Sequence, residues 1–266
     1  GTSNTAVGNH ALYLNTTGNE NVAVGSSALF TNTTGKDNVA VGYEALYTNT
    51  IGQYNTALGY HALRYSTTGG SNVAIGHKAL RNNTIGSTNI AVGVNAMYVN
   101  TTGVGNTAVG NQALYKNTIG KENVAIGQAA LFENTTGKYN VGVGTSAFRR
   151  LTIGEKSVAI GYRALHETTT ASYNVAVGHE ALYTNTTGHS NTAVGYYALR
   201  ENTRGNNNTA LGIEAMTANT TGYNNTAVGY RSLYANTTAR YNTALGYNTL
   251  AANTIGERNT AIGYDS

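Results

Sequence analysis

The sequence contains no cysteine, no proline and no tryptophan. Without cysteine the chain has neither a disulfide framework nor a thiolate metal site. Proline has no backbone N–H and is excluded where that N–H must bond to a neighbouring strand. The absence of proline therefore favours a hydrogen-bonded ladder that runs along the whole chain.

Charge is also scarce, because only 11% of the 266 residues are charged. The formal net charge is +4, and no dense basic run occurs. This pattern argues against a nucleic-acid-binding protein. No apolar run approaches the roughly 20 residues of a membrane span. We therefore expect that the partners of this segment include no nucleic acid and that it does not insert into a membrane.

What the sequence does contain is a 17-residue unit that returns sixteen times. Numbered from its asparagine, the unit reads N-[TV]-A-[VIL]-G-x-x-A-L-x-x-N-T-[TI]-G-x-x, as in residues 38–54. Position 5 is glycine in every unit, from Gly8 to Gly263, with no insertion or deletion. A fixed period of this kind is typical of a solenoid whose coils stack in register.

Positions 2 to 4 alternate as a short strand does, for example Val39, Ala40 and Val41. We predict an all-β fold: a parallel β-solenoid, or β-roll, of about fifteen coils that forms one uninterrupted array over residues 1–266. Alanine occupies position 3 in fifteen of sixteen units. We expect this alanine on the outer face, covered by another chain, so that the solenoid is a homo-oligomer.

The segment after the glycine, such as residues 43–48, allows two interpretations. Gly42, Ala45, Leu46 and Asn49 have the spacing of one helical face, which would give a short helical turn in each coil. The alternative is a second strand or irregular extended path with Leu46 inside and Ala45 outside. We favour the extended path, and in both interpretations the leucine supplies most of the buried volume of its coil.

The Asn-Thr-Thr-Gly segment is predicted to turn the chain. Glycine tolerates a positive φ, and asparagine bonds to nearby backbone, so Asn49 and Gly52 are expected corner residues. Identical asparagine and threonine side chains stacked about 4.7–4.8 Å apart can bond from coil to coil. Positions 16 and 17 are then an exposed tip.

With the unit defined, a resemblance emerges. Ser157-Val158-Ala159-Ile160-Gly161 matches the S-V-A-I-G motif of the head repeats of trimeric autotransporter adhesins. The other strands are close variants, and the repeats also resemble those of bacteriophage tail fibres. The resemblance implies a parallel β-roll in a homotrimer at a bacterial surface. The adhesin unit typically has 14 residues, whereas this unit has three more between the glycines at positions 5 and 15.

No arrangement of catalytic, cofactor-binding or metal-binding residues is visible. The six histidines do not recur in adjacent coils with carboxylates at metal-ligand spacing. The glycine pairs do not form a phosphate-binding motif, and no serine stands in a nucleophile setting. We predict that the protein is not an enzyme and needs no cofactor.

Two features make candidate surface contacts. Tyrosine recurs at positions 6 and 10, where stacked coils would form partial aromatic ribbons; these rings either pack along the coil edge or offer a surface for sugars or proteins. The repeat pattern is also broken at Gly142, Phe148 and Ser157, near two arginines. This break is either a binding patch or an irregularity that the fold tolerates. The candidate contact residues are Tyr43, Tyr60, Tyr162, Tyr196, Tyr230, Tyr247, Arg149 and Arg150.

These observations predict a structural role. We expect an extracellular fibre segment, cut from a longer cell-surface or virion protein, that is trimeric and supports attachment to a glycan or protein receptor. Presenting identical chains side by side would multiply its affinity. A self-assembling surface filament is the alternative, and an ice-binding solenoid that uses the threonine ranks is a third hypothesis.

Overall fold

The computed structural model describes every residue from Gly1 to Ser266 as strand, turn, bend or irregular chain, without a helix. Two compact units are present, Gly1–Thr136 and Gly137–Ser266. The strands of the first are β1 (Thr5–Val7), β2 (Val22–Val24), β3 (Val39–Val41), β4 (Thr56–Leu58), β5 (Val73–Ile75), β6 (Ile90–Val92), β7 (Thr107–Val109) and β8 (Val124–Ile126). Those of the second are β9 (Val141–Val143), β10 (Val158–Ile160), β11 (Val175–Val177), β12 (Thr192–Val194), β13 (Thr209–Leu211), β14 (Thr226–Val228), β15 (Thr243–Leu245) and β16 (Thr260–Ile262).

Within each unit every strand pairs in parallel with the next one along the chain. The paired residues are 17 apart, so that Ala40 faces Ala57 and Val41 faces Leu58. The second unit keeps the same register, for example between Ala193 and Ala210. The prediction of an all-β parallel β-solenoid of about fifteen coils is therefore confirmed.

Backbone bonds between coils continue well beyond the three-residue strands. Around one coil of the first unit, the N–H of Leu80 donates to the Ala96 carbonyl at 2.9 Å and that of Thr84 to the Thr101 carbonyl at 3.0 Å. The N–H of Lys78 donates in the other direction, to Tyr60 of the preceding coil, at 2.9 Å. Most of these N–H groups are committed to a neighbouring coil, which accounts for the missing proline.

The side chains that face the interior of the coil differ from those that the sequence predicts. The alanine at position 3 faces inward and is fully buried, as at Ala40, Ala57 and Ala74, whereas the aliphatic residues beside it face outward. The prediction that the alanine face is outermost was wrong. The physical reason is the narrow cross-section: the asparagines at positions 1 and 12, the alanine at position 8 and the leucine at position 9 also fill the interior. Close packing around them leaves room for only a methyl group at position 3.

The segment after the glycine contains neither a helical turn nor a second strand. Residues such as Leu63 and Leu80 are fully buried, as expected, but so are the preceding alanines Ala62 and Ala79. Two consecutive residues point inward because positions 7 and 9 adopt the left-handed conformation, with φ of 55° at Lys78 and 50° at Leu80. Turns closed by the bonds Ala79 to Gly76 (3.3 Å) and Asn83 to Leu80 (3.2 Å) complete this side of the coil.

Two asparagines clamp the corner, as the sequence predicts for position 12. The Nδ2 groups of Asn72 at position 1 and Asn83 at position 12 both donate to the Gly86 carbonyl at 2.9 Å. Asn100 then donates to the Oδ1 of Asn83 in the preceding coil at 2.7 Å. These buried amides form the coil-to-coil ladder expected from stacked asparagines.

Candidate functional site

The outer face of the sheet is a charge-free surface of aliphatic and threonine side chains. Position 4 is valine, isoleucine or leucine in all sixteen units, and position 2 is valine or isoleucine in eight and threonine in the other eight. These side chains are partly to fully exposed, among them Leu58, Ile75 and Ile126 in the first unit. We call positions 2 and 4 of the strands the outer sheet face.

Charged residues avoid this face completely. The 16 Lys+Arg and 12 Asp+Glu residues all lie at positions 7, 10, 11, 16 and 17, except Arg204 at position 14. Over eight strands about 4.8 Å apart and three residues wide, the outer sheet face of one unit covers on the order of 300 Å². The largest apolar patch of a typical monomer has about this size and is often functional.

The position-6 tyrosines form short stacked runs. Tyr43 and Tyr60 stack with ring centroids 5.5 Å apart, and His77 extends the run at 5.3 Å. In the second unit His179 lies between Tyr162 and Tyr196, at 5.1 and 5.2 Å. A further run places Tyr247 at 5.1 Å from Tyr230 and at 4.9 Å from Tyr264. The sequence-predicted tyrosines are therefore brought together in three groups.

Position 10 carries a second series of rings. Tyr13, Phe30 and Tyr47 stack at 5.3 and 5.1 Å, as do Tyr98, Tyr115 and Phe132 at 5.3 and 5.1 Å. Sequence reasoning missed the phenylalanines and histidines of these runs, although they occupy the same positions as the tyrosines. Stacked rings cover each other's faces, so the inner rings of a run present edges and hydroxyl groups to solvent.

The two arginines beside the pattern break lie on the coil surface. Arg150 pairs with Glu167 of the next coil, with Nη1 and Oε2 2.8 Å apart, and Arg149 is partly buried. Gly142, Phe148 and Leu151 of the same coil all face inward and are buried. The break is thus a change of core packing, in which a larger ring accompanies a smaller residue at position 3.

Glu44 is a mostly buried ionisable group with two charged or chargeable neighbours. Its carboxylate accepts from the Nε of Arg64 and lies 3.0 Å from the Nε2 of His61. Burial opposes its ionisation, but the hydrogen bond and charge of Arg64 prevail and lower the pKa of Glu44. Burial, followed by the nearby charge of Arg64, lowers the pKa of His61.

Other conceivable sites are limited by the coil geometry. No three His, Asp or Glu side chains lie close enough to hold a metal ion together. The asparagines of the Asn-Thr-Thr segments, such as Asn185, are fully buried, with Nδ2 donating to the Gly188 carbonyl at 2.8 Å. The threonines at position 13 donate their hydroxyls to the next coil, as Thr84 does to the Thr101 carbonyl at 3.0 Å. No helix long and apolar enough to cross a bilayer is present.

The geometry thus offers an apolar outer sheet face and a polar, ring-bearing surface on the rest of the coil. No protein-family model matches the chain. No curated protein matches it significantly by sequence.

Proposed function

We propose that this protein is a structural segment of an extracellular fibre, without catalytic activity, in which identical chains pack against each other through the outer sheet face. The single observation that carries the proposal is that position 4, on the outer sheet face, is aliphatic in all sixteen units. An ordinary solvent-facing strand would alternate apolar and polar faces. Here the outward residue at position 4 is apolar in every coil, and water would contact it in coil after coil unless another surface covers it.

A second copy of the chain is the partner that fits this surface best. The aliphatic residues repeat once per coil, at the standard spacing of about 4.8 Å between strands. A partner that meets each of them in turn needs the same period and the same apolar composition, and another copy of this chain has both. Closed symmetric assemblies are the commonest kind of oligomer. The resemblance to adhesin head repeats suggests three chains, and such a fibre at a cell surface or virion would serve attachment to a receptor.

The oligomeric state provides the test, with two matched double variants. Ile75→Lys with Ile126→Lys places charges at position 4, where the side chains are 36% and 40% exposed. Ile85→Lys with Ile119→Lys places them at position 14, where the side chains are 54% and 49% exposed. Sedimentation equilibrium should give three chains for the wild type and the position-14 variant, and one chain for the position-4 variant. A monomeric wild type, or equal dissociation of both variants, would contradict the proposal.

The two alternative roles have their own measurements. Electron micrographs of lengthening fibrils would favour the self-assembling filament over discrete oligomers. Ice binding would appear as thermal hysteresis. The threonine rank at position 13 donates its hydroxyls to the next coil, as at Thr84 and Thr101, which leaves these threonines less able to order water.

A further inference from the structure

One arginine in the first unit lacks the acidic partner that two of the equivalent arginines have. Four arginines occupy position 10: Arg64, Arg81, Arg149 and Arg200. The Nε of Arg64 donates to Glu44, and that of Arg200 donates to Glu180 at 2.8 Å; both glutamates lie 20 residues earlier, at position 7 of the preceding coil. The corresponding residue for Arg81 is His61. The Nε of Arg81 is buried without any hydrogen-bond acceptor.

Positive charge around Arg81 is not neutralised by the chain. Lys78 lies in the same coil, and no acidic residue occurs from residue 45 to residue 121. The nearest carboxylate, Glu44, is already engaged by Arg64. Burial lowers the pKa of His61 most, and the charge of Arg64 lowers it further. Arg81 and Lys78 make smaller contributions in the same direction, so the excess positive charge also acts on His61. This coil therefore carries two cations and no counter-charge.

The guanidinium of Arg81 is held in place by neutral groups. Its Nη1 donates to the Asn82 Oδ1 at 3.1 Å and to the Tyr98 hydroxyl at 3.2 Å, and its Nη2 donates to the Tyr65 hydroxyl at 3.2 Å. Its Cζ lies 4.7 Å from the centre of the Tyr65 ring. These contacts fix the arginine without neutralising it, and a fixed cation loses less conformational entropy when it binds an anion.

We propose that Arg81 and Lys78 bind the carboxylate or sulfate groups of an acidic polysaccharide. Arg81 is half-buried, and an anion at the exposed edge of its guanidinium would supply the negative charge that Glu44 and Glu180 supply beside the other arginines. Two cations are too few for nucleic acid, whose binding relies on neutralising many phosphates. The phenol and amide groups around Arg81 suit sugar hydroxyls. This proposal rests on the attachment role proposed above, and it names acidic polysaccharides as the class of ligand.

The test is calorimetric titration of the purified protein with three polymers at low salt: dextran sulfate, polygalacturonate and uncharged dextran. We expect at least one acidic polymer to bind, which identifies the acid group, and the uncharged dextran not to bind. Arg81→Gln and Lys78→Gln should each weaken binding about tenfold, as expected for loss of one charged hydrogen bond. The matched control Lys36→Gln removes the same charge in another coil and should weaken binding less than about twofold.

A second variant tests the missing-acid argument without removing a cation. His61→Glu gives Arg81 the carboxylate that Arg64 has in Glu44, and it should abolish binding, whereas His61→Gln should retain it. The proposal is overturned if uncharged dextran binds equally well, if the Arg81 and Lys78 variants match Lys36→Gln, or if His61→Glu binds like the wild type. Sedimentation of the same samples separates the two proposals: a trimer that ignores acidic polymers refutes only this site, and a monomer that binds them refutes only the oligomer.

Discussion

Each coil depends on residues in a conformation that most side chains avoid. Positions 7, 9 and 17 are left-handed in every complete coil, with φ of 55° at Lys78, 50° at Leu80 and 57° at Thr88. This conformation costs roughly 1–2 kcal/mol per non-glycine residue. Full burial of a leucine contributes about 1.5–3 kcal/mol, which offsets the cost at position 9. The leucine is therefore retained both for its volume and to stabilise its own strained backbone.

The glycine at position 5 is required by both φ and space. At Gly76 φ is 129°, and an added Cβ would lie 2.7 Å from the carbonyl oxygen of Gly93 in the next coil. At Gly105 φ is 71°, and the nearest atom to an added Cβ is a side-chain carbon of Glu122 at 3.3 Å. We expect Gly76→Ala to lower the free energy of unfolding by more than about 3 kcal/mol, and Gly105→Ala by about 1 kcal/mol. Urea denaturation of the two variants measures the difference, and equal losses would contradict this role of position 5.

At the scale of the coil, the sequence predicts the strand, its register and the corner. The invariant glycine and the 17-residue period fix which residues stack, because each coil must match its neighbours. The sequence could not show which side of the strand is inside. Alternation of Val39, Ala40 and Val41 is compatible with both orientations, and larger residues usually face the core. Here the coil is too narrow for them, since Asn38, Asn49 and Leu46 already occupy the interior.

Part of the candidate site could also be predicted from the sequence, and part could not. Recurrence at position 6 or 10 predicts which tyrosines stack, because equivalent residues of adjacent coils must meet. The pairing of position 7 with position 10 of the following coil, seen between Glu44 and Arg64, is not visible in the sequence. It depends on the left-handed residues between them, whose conformation no residue pattern signals. The missing acid beside Arg81 could therefore be recognised only in the structure.

The aromatic runs also make one pH dependence testable. His166 stacks on Tyr183 at 5.2 Å, and its Nδ1 lies 2.8 Å from Glu167. Burial lowers the pKa of His166 from 6.5, and the hydrogen bond to Glu167 only partly opposes this. The unfolded chain therefore takes up this proton more readily, so stability falls as the pH drops below the unfolded value of about 6.5.

We expect His166→Tyr to keep the ring stack and to remove this contribution. The melting temperature should then fall less between pH 7.5 and pH 5 in the variant than in the wild type. Thermal unfolding followed by circular dichroism at the two pH values makes the comparison. An identical fall in both proteins would show that His166 does not contribute to the pH dependence.

At the scale of the whole molecule, the distribution of residue types divides the surface by task. The outer sheet face carries no charge, and all the charged residues lie on the remaining sides of the coils. Many of them pair from coil to coil, as Arg231 does with Glu214 and Arg240 with Glu257, at 2.6 and 2.8 Å. A chain that separates its surfaces in this way is suited to pack on one side and remain hydrated on the others.

The proposed packing depends on the orientation of the strands, with alanine inside and the larger aliphatic residues outside. Because the chain has no cysteine, single-cysteine variants report accessibility without background. The most direct measurement is the rate of maleimide labelling of Ala57→Cys compared with that of Ile51→Cys, in folded protein and in urea. We predict that Ala57→Cys reacts at least about a hundredfold more slowly when folded than in urea, since labelling requires local opening of the coil. Ile51→Cys should react rapidly in both states, and a folded Ala57→Cys that reacts as fast as Ile51→Cys would contradict this orientation.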